Sequence, residues 1–71
     1  MAEQARRDWN LTPREAEVLG LVVQGQTNQA IADALRCAVR TIEIHVTRLL
    51  QKSLADNRAT LIARFWTGER P

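Results

Sequence analysis

The spacing of apolar residues between positions 27 and 52 constrains the fold of this chain more than any other feature. The first half of the segment carries apolar residues at the three- and four-residue spacing of a helix face, namely Ala30, Ile31, Ala34 and Leu35. The same spacing returns from Val39 to about Lys52, and residues 36–38 between the two stretches are too few for anything except a turn. The segment therefore predicts a short helix, a tight turn and a longer helix.

The length and composition of the chain favour one small all-α domain. With 71 residues, of which 45% are apolar, the chain can bury a single core and little more. Valine, isoleucine and threonine do not alternate in period two over any long stretch, so a sheet is not expected. Four helices are predicted within residues 11–67, between an N-terminal arm or linker over residues 1–10 that we expect to be flexible and a tail over residues 68–71.

Capping signals mark the ends of the first, second and fourth predicted helices. Thr12-Pro13-Arg14-Glu15 combines an N-cap, a proline at the first helical position and a glutamate that can close a capping box. Gly25 is suited to end this helix in the left-handed conformation, and Thr27 is the next N-cap candidate. Asp56 is predicted to cap the fourth helix.

Charge is distributed unevenly along the chain. Residues 1–35 hold three arginines against five acidic residues, a net charge of −2, whereas residues 36–71 hold seven basic and three acidic residues, a net charge of +4. The positive second half modestly favours binding to a polyanionic partner.

Cys37 is the only cysteine, so no intrachain disulfide can form. The single cysteine, the lack of a signal peptide and the lack of a membrane-length apolar stretch together predict a protein of the reducing cytoplasm that does not contact a membrane.

The helix predicted from Val39 onward has one face turned away from the core. Its outward residues are Arg40, Glu43, Ile44, Thr47, Arg48 and Gln51. Such a face fits the major groove of DNA, where Glu43 can accept from a cytosine amino group and Ile44 and the Thr47 methyl can touch thymine methyls. An ordinary solvated helix face has the same spacing, and spacing alone leaves both interpretations open.

A resemblance to a known family extends over residues 11 to 66. It is carried, in order, by Leu11-Thr12-Pro13-Arg14-Glu15, Val18-Leu19, Gly25, Asn28, Ile31-Ala32, Leu35, Thr41-Ile42, His45-Val46, Leu49, Lys52 and Arg58. Any one match is weak, but the ordered set resembles the LuxR-type (GerE/NarL-like) helix-turn-helix domain of bacterial transcription regulators. The resemblance implies a four-helix, sequence-specific module for double-stranded DNA whose third helix enters the major groove. It also implies a homodimer formed through the fourth helix.

The resemblance assigns roles to individual positions. Residues that match base-facing positions are Glu43, Ile44 and Thr47. Residues that match, or by position suit, contacts to the DNA backbone are Thr27, Asn28, Arg40, Thr41, Arg48, Lys52 and Arg58. The fourth predicted helix carries four large apolar residues, which we expect to be shared between the core and a dimer contact, namely Leu61, Ile62, Phe65 and Trp66.

The chain departs from the family pattern at three places. The family usually has serine at the position of Ala38, so the third helix is expected to lack a side-chain N-cap. It often has lysine at the position of Glu43, and a carboxylate there repels phosphates and either lowers affinity or demands a specific base. Its usual Leu-Gly pair is here Ser53-Leu54, so the join between the last two helices is expected to differ.

Other functional classes have less support. His45 has no cysteine, aspartate or second histidine at metal-ligand spacing, so a packing role is favoured over metal binding or catalysis. Cys37 is interpreted as inert packing, and Trp9 and Trp66 as core or dimer residues. Without a nucleophile–base pair or a glycine-rich phosphate loop, no enzyme and no cofactor are predicted. The alternative function is a helix-turn-helix that docks a protein partner, such as RNA polymerase, through Glu43 and Ile44.

Overall fold

The computed structural model describes residues 2–68, with side chains from Gln4 onward. The described residues form five helices and no strand, which confirms the all-α prediction. In chain order the helices are α1 (Ala2–Asp8), α2 (Pro13–Val22), α3 (Asn28–Leu35), α4 (Val39–Ser53) and α5 (Arg58–Thr67). Within residues 2–68, none of the helices combines the length and the hydropathy that crossing a bilayer would require.

The N-terminal segment is helical, contrary to the flexible arm expected over residues 1–10. Helix α1 packs against α2, and the side chains of Ala5 and Trp9, one helical turn apart, are buried. The chain then turns back, with the Leu11 N–H donating to the Arg6 carbonyl at 2.9 Å. The sequence lacks a cap signal here, and burial of Trp9 against the rest of the domain supplies the stability that local signals do not. Met1 and residues 69–71, part of the predicted arm and tail, lie outside the described residues.

Helix α2 begins as its sequence predicts. The Glu15 N–H donates to Thr12 Oγ1 at 3.1 Å, and the Thr12 N–H donates to the Glu15 carboxylate at 2.9 Å. The two bonds form the predicted capping box, with Pro13 at the first helical position. Gly25, at φ 87°, takes the left-handed conformation in the turn that follows the helix, also as predicted.

Helices α3 and α4 are joined by the predicted tight turn. Thr27 caps α3 by accepting from the Ala30 N–H at 3.1 Å. Arg36 adopts φ 57° at the end of α3, and the Cys37 N–H donates to the Ala32 carbonyl at 3.0 Å, which closes the turn. Helix α4 then starts after Ala38, which has the extended backbone of an N-cap but makes no side-chain cap bond.

Replacing Ala38 with serine is expected to stabilise the domain by about 1 kcal/mol, because the new hydroxyl can accept one of the unpaired N–H groups at the start of α4. Urea denaturation followed by circular dichroism measures the change, with Ala38→Val as the control that lacks a cap oxygen. A serine variant no more stable than the wild type contradicts this interpretation of the α4 start.

The last helix begins one residue later than predicted. Asn57, not Asp56, is the N-cap of α5, and its side-chain oxygen accepts from the Thr60 N–H at 2.9 Å. Leu54 adopts φ 59° in the preceding turn although it is not glycine, and the Ala55 N–H donates to the Leu50 carbonyl at 3.0 Å. The left-handed turn is therefore made without the glycine that is usual at this position in the resembled family, at a conformational cost of about 1–2 kcal/mol.

Helix α4 lies at the centre of the domain and contacts α2, α3 and α5. The α4 side chains predicted to face inward do so: Ile42, Val46 and Leu49 are buried, and Val39 is half-buried against the core. The largest buried side chains of the other helices meet them there, including Val18, Leu19, Val22, Ile31, Leu61 and Phe65. One face of α4 is thus fixed in the core, which holds the opposite face in a defined orientation.

A buried ion pair joins α2 to α4. Lys52 Nζ donates to Glu15 Oε1 at 2.7 Å and to the Asn10 carbonyl at 3.1 Å, and the Glu15 side chain is only 2% exposed. Burial acts to raise the pKa of the Glu15 carboxyl. The hydrogen bond from Lys52, the Thr12 backbone bond and the lysine charge outweigh burial and hold that pKa below its ordinary value of 4.5.

Acid is therefore expected to destabilise the domain through Glu15. Because the folded-state pKa is depressed, the stabilisation is fully present above the ordinary pKa of 4.5 and is lost as pH falls through the lower folded value. Unfolding free energies of the wild type and Glu15→Gln, measured from pH 7 down to about pH 2, check this. The difference between the two proteins should shrink towards acid pH, and a pH-independent difference contradicts the prediction.

Candidate nucleic-acid interface

The outward face of α4 is a continuous exposed surface. Its side chains border a shallow groove of about 340 Å³, lined by Arg40, Glu43, Ile44, Thr47, Arg48 and Gln51. These are the six residues that helical spacing placed outward, and all are exposed. An exposed helix face backed by a packed core is the geometry that a major groove can admit.

Glu43 brings a negative charge to the middle of this face. Its carboxylate lies 3.5 Å from Arg40 Nη1, one helical turn earlier, with the two side chains 49% and 80% exposed. A pair this exposed contributes little to stability, because water screens it and both side chains lose freedom. Both groups therefore remain available to an external ligand, Glu43 as an acceptor and Arg40 as a cation.

Ile44 and Thr47 form the apolar part of the face. Ile44 is 41% exposed, unlike the other isoleucines of the helices, which are buried or half-buried. The Thr47 hydroxyl donates to the Glu43 carbonyl at 3.0 Å, so its donor is satisfied within the helix. That bond leaves the threonine methyl as the group best placed for an outside contact. Two neighbouring apolar groups beside one carboxylate can distinguish base edges by shape and by hydrogen bonding.

Several of the residues expected to meet the DNA backbone are exposed. Thr41 and Arg48 lie on the exposed side of α4, and the structure shows no partner for Arg48 among the described residues. Thr27 and Asn28 lie at the start of α3, where the first amides of a helix favour an anion. The cationic side chains of α4 and the first amides of α3 thus form two separate groups of donors.

Two other predicted phosphate contacts are engaged within the protein. Lys52 is held by Glu15 and the Asn10 carbonyl. Arg58 Nη1 donates to Asn28 Oδ1 and Arg58 Nη2 to the Gln26 carbonyl, both at 2.6 Å. The sequence did not predict these hydrogen bonds, because the partners of Lys52 and Arg58 lie 30 or more positions away in the chain.

The apolar residues of α5 divide between core and surface. Leu61 and Phe65, which were predicted to share a dimer contact, are buried within the domain and leave no surface for a partner. Ile62 is half-buried, and Trp66 is 54% exposed, with its ring 5.1 Å from that of Phe65 in an edge-to-face arrangement. Trp66 Nε1 donates to the carbonyl of Val23, the C-cap residue of α2, at 3.3 Å, which fixes the indole against the end of that helix. Among the large apolar side chains of α5, Ile62 and Trp66 are therefore the two that reach the surface.

The residues given packing roles fit the domain interior. Trp9 is buried, and Cys37 is half-buried against the core. His45 is half-buried, and its Nδ1 has no hydrogen-bond partner among the described side chains and backbone.

The sequence did not predict one further contact. Arg14 Nη2 donates to the Leu35 carbonyl at 3.3 Å, which links the start of α2 to the end of α3.

Comparisons with known proteins agree on the family. The model of the family described as "Bacterial regulatory proteins, luxR family" matches residues 9–65. The tetrathionate response regulatory protein TtrR of Salmonella typhimurium is 47% identical over 55 residues, which cover 78% of this chain and 27% of that protein. The C4-dicarboxylate transport transcriptional regulatory protein DctR of Rhodobacter capsulatus is 46% identical over 57 residues, covering 80% and 29% of the two chains.

A third relative is more distant, and the matched part of each relative is short. The transcriptional regulatory protein LiaR of Bacillus subtilis is 38% identical over 56 residues, covering 79% of this chain and 26% of that protein. The chain thus spans about a quarter of the length of the curated relatives it matches. No solved structure matches the chain at a significant level.

Proposed function

We propose that α4 is the recognition helix, because the chain belongs to the luxR family of bacterial regulatory proteins, which bind DNA and regulate transcription. In this proposal α4 enters the major groove of double-stranded DNA with its exposed face towards the bases. The observation that carries the proposal is the groove formed by six outward side chains on a helix whose other face is fixed in the core.

Base recognition is proposed for three residues. The Glu43 carboxylate accepts from the N4 amino group of a cytosine, while Ile44 and the Thr47 methyl contact thymine methyl groups. The exposure of Ile44 and the internal bond of the Thr47 hydroxyl support these roles. A mismatched base pair in a site read in this way typically costs about 1–3 kcal/mol of binding free energy.

Contacts to phosphates set the position of α4 in the groove. We assign these to Arg40, Thr41 and Arg48 on α4 and to the start of α3 at Thr27 and Asn28. Exposure of the α4 side chains and the electrostatic preference of a helix N-terminus for anions support this assignment. Because Lys52 and Arg58 have partners inside the protein, they are not proposed as direct phosphate ligands.

The domain is proposed to work as a homodimer on paired half-sites, within a cytoplasmic regulator. Ile62 and Trp66 on α5 form the candidate dimer contact, since they are the large apolar side chains of that helix that reach the surface. Relatives described as response regulatory and transcriptional regulatory proteins are several times longer than the matched segment. A role as the DNA-binding part of a response regulator is therefore proposed as well.

Selection from a randomised duplex library tests the function. We expect the wild type to enrich a defined site and to bind it more weakly as salt rises, because phosphate binding releases counterions. A protein that enriches no site and binds no duplex even at about 50 mM salt overturns the proposal. Salt-insensitive capture of RNA polymerase by the same protein would then support docking through Glu43 and Ile44 instead.

A further inference from the structure

Arg58 links the start of α5 to the start of α3. Its two terminal nitrogens donate to Asn28 Oδ1 and to the Gln26 carbonyl, each at 2.6 Å, on either side of the N-cap residue Thr27. Bonds from a planar guanidinium in two directions are short and directional. The backbone that leads into α3 and the side chain of its first residue are therefore held by one arginine.

The bond to Asn28 also determines which way its side-chain amide faces. A guanidinium can only donate, so the group that meets Arg58 must be the amide oxygen. The Asn28 NH₂ group consequently points away from Arg58, and it has no hydrogen-bond partner among the described residues. An amide donor without an internal partner at the first position of α3 supplements the free backbone amides there as a phosphate-binding group.

We propose that Arg58 is a positioning residue for DNA binding: it orients the Asn28 amide and fixes the start of α3, and does not itself bind a phosphate. This inference rests on the proposed function. It differs from the role assigned to Arg58 by resemblance, in which its charge would meet the DNA backbone directly. The engagement of both terminal nitrogens inside the protein is what distinguishes the two roles.

A double-mutant cycle between Arg58 and Asn28 tests the proposal. Affinity for the selected duplex is measured for Arg58→Met, Arg58→Lys and Asn28→Ala, and for Arg58→Met combined with Asn28→Ala. If Arg58 acts through Asn28, each single variant binds roughly tenfold more weakly, as expected for one lost hydrogen bond to a charged group. The double variant should then lose little more than either single variant, because the two changes remove the same contact.

Salt dependence provides the readout that a general loss of structure would not move. Arg58→Met should keep the wild-type slope of log affinity against log salt, whereas Arg48→Met, which removes a proposed phosphate contact, should lower the slope by about 0.9. Arg58→Lys should bind as weakly as Arg58→Met, because lysine keeps the charge but cannot make two bonds in a fixed fork. If Arg58→Met is unfolded by circular dichroism, Arg58→Lys replaces it in the cycle.

Other results overturn the proposal. Wild-type affinity for Arg58→Lys, a slope lowered by about 0.9 in Arg58→Met, or a roughly hundredfold loss in the double variant identifies Arg58 as a direct phosphate ligand. Binding by the wild type in the same assay separates that outcome from failure of the proposed function. If the wild type binds no duplex, both the positioning role of Arg58 and the proposed function are contradicted.

Discussion

Replacing Lys52 with methionine is expected to destabilise the domain by about 3 kcal/mol. The change leaves the Glu15 carboxylate, which is 2% exposed, without its cationic partner. Removing one member of a buried pair costs about 3–5 kcal/mol, and the lower end applies because Lys52 is itself 33% exposed. For a domain of this size that is a large part of the total stability.

Chemical denaturation of Lys52→Met beside the wild type measures this effect. The matched control is Lys52→Met combined with Glu15→Gln, which removes the unpaired charge but keeps a residue that can close the capping box with Thr12. Most of the lost stability should return in the double variant. A Lys52→Met protein as stable as the wild type, with weakened DNA binding, would instead mean that Lys52 serves as a phosphate contact.

Replacing Glu43 with lysine is expected to raise non-specific DNA affinity roughly tenfold at about 0.1 M salt and to change the preferred site. The substitution removes a carboxylate that repels phosphates, and it adds a cation at an exposed position. It also removes the partner of Arg40, which lies 3.5 Å away. One new phosphate contact steepens the salt dependence by about 0.9 in the logarithmic slope, and loss of the acceptor removes any preference for cytosine at the base it meets.

Titration of a random duplex at several salt concentrations measures the first effect, and repeated selection measures the second. Glu43→Gln is the control, because it removes the charge without adding a cation and retains an acceptor oxygen. Its affinity should fall between those of the wild type and Glu43→Lys. If affinity and preferred site stay unchanged in Glu43→Lys, Glu43 does not face DNA.

Local sequence signals predicted those parts of the fold that depend on neighbours in the chain. The capping box of Thr12 and Glu15, the Thr27 cap and the left-handed turn at Gly25 each depend on residues a few positions apart. The orientation of α4 follows from helical periodicity in the same way. The outward face was therefore predictable in full, while the DNA contacts of its side chains remain predictions.

The features that the sequence did not predict depend on long-range packing. Helix α1 is stabilised by burial of Trp9, and the partners of Lys52 and Arg58 come from other helices or the segments between them. The choice of Asn57 over Asp56 as N-cap depends on where the chain leaves the left-handed turn at Leu54. As basic side chains, Lys52 and Arg58 were predicted to contact phosphates, whereas in the folded domain both form hydrogen bonds within the protein.

Amide chemical-shift mapping of nitrogen-15-labelled protein, titrated with its selected duplex, tests most directly whether α4 reads DNA. We predict that the largest shifts occur at Glu43, Ile44 and Thr47 on α4, with a second group at Thr27 and Asn28. Duplex binding that leaves the amides of Glu43, Ile44 and Thr47 unchanged would contradict the assignment of α4 as the recognition helix.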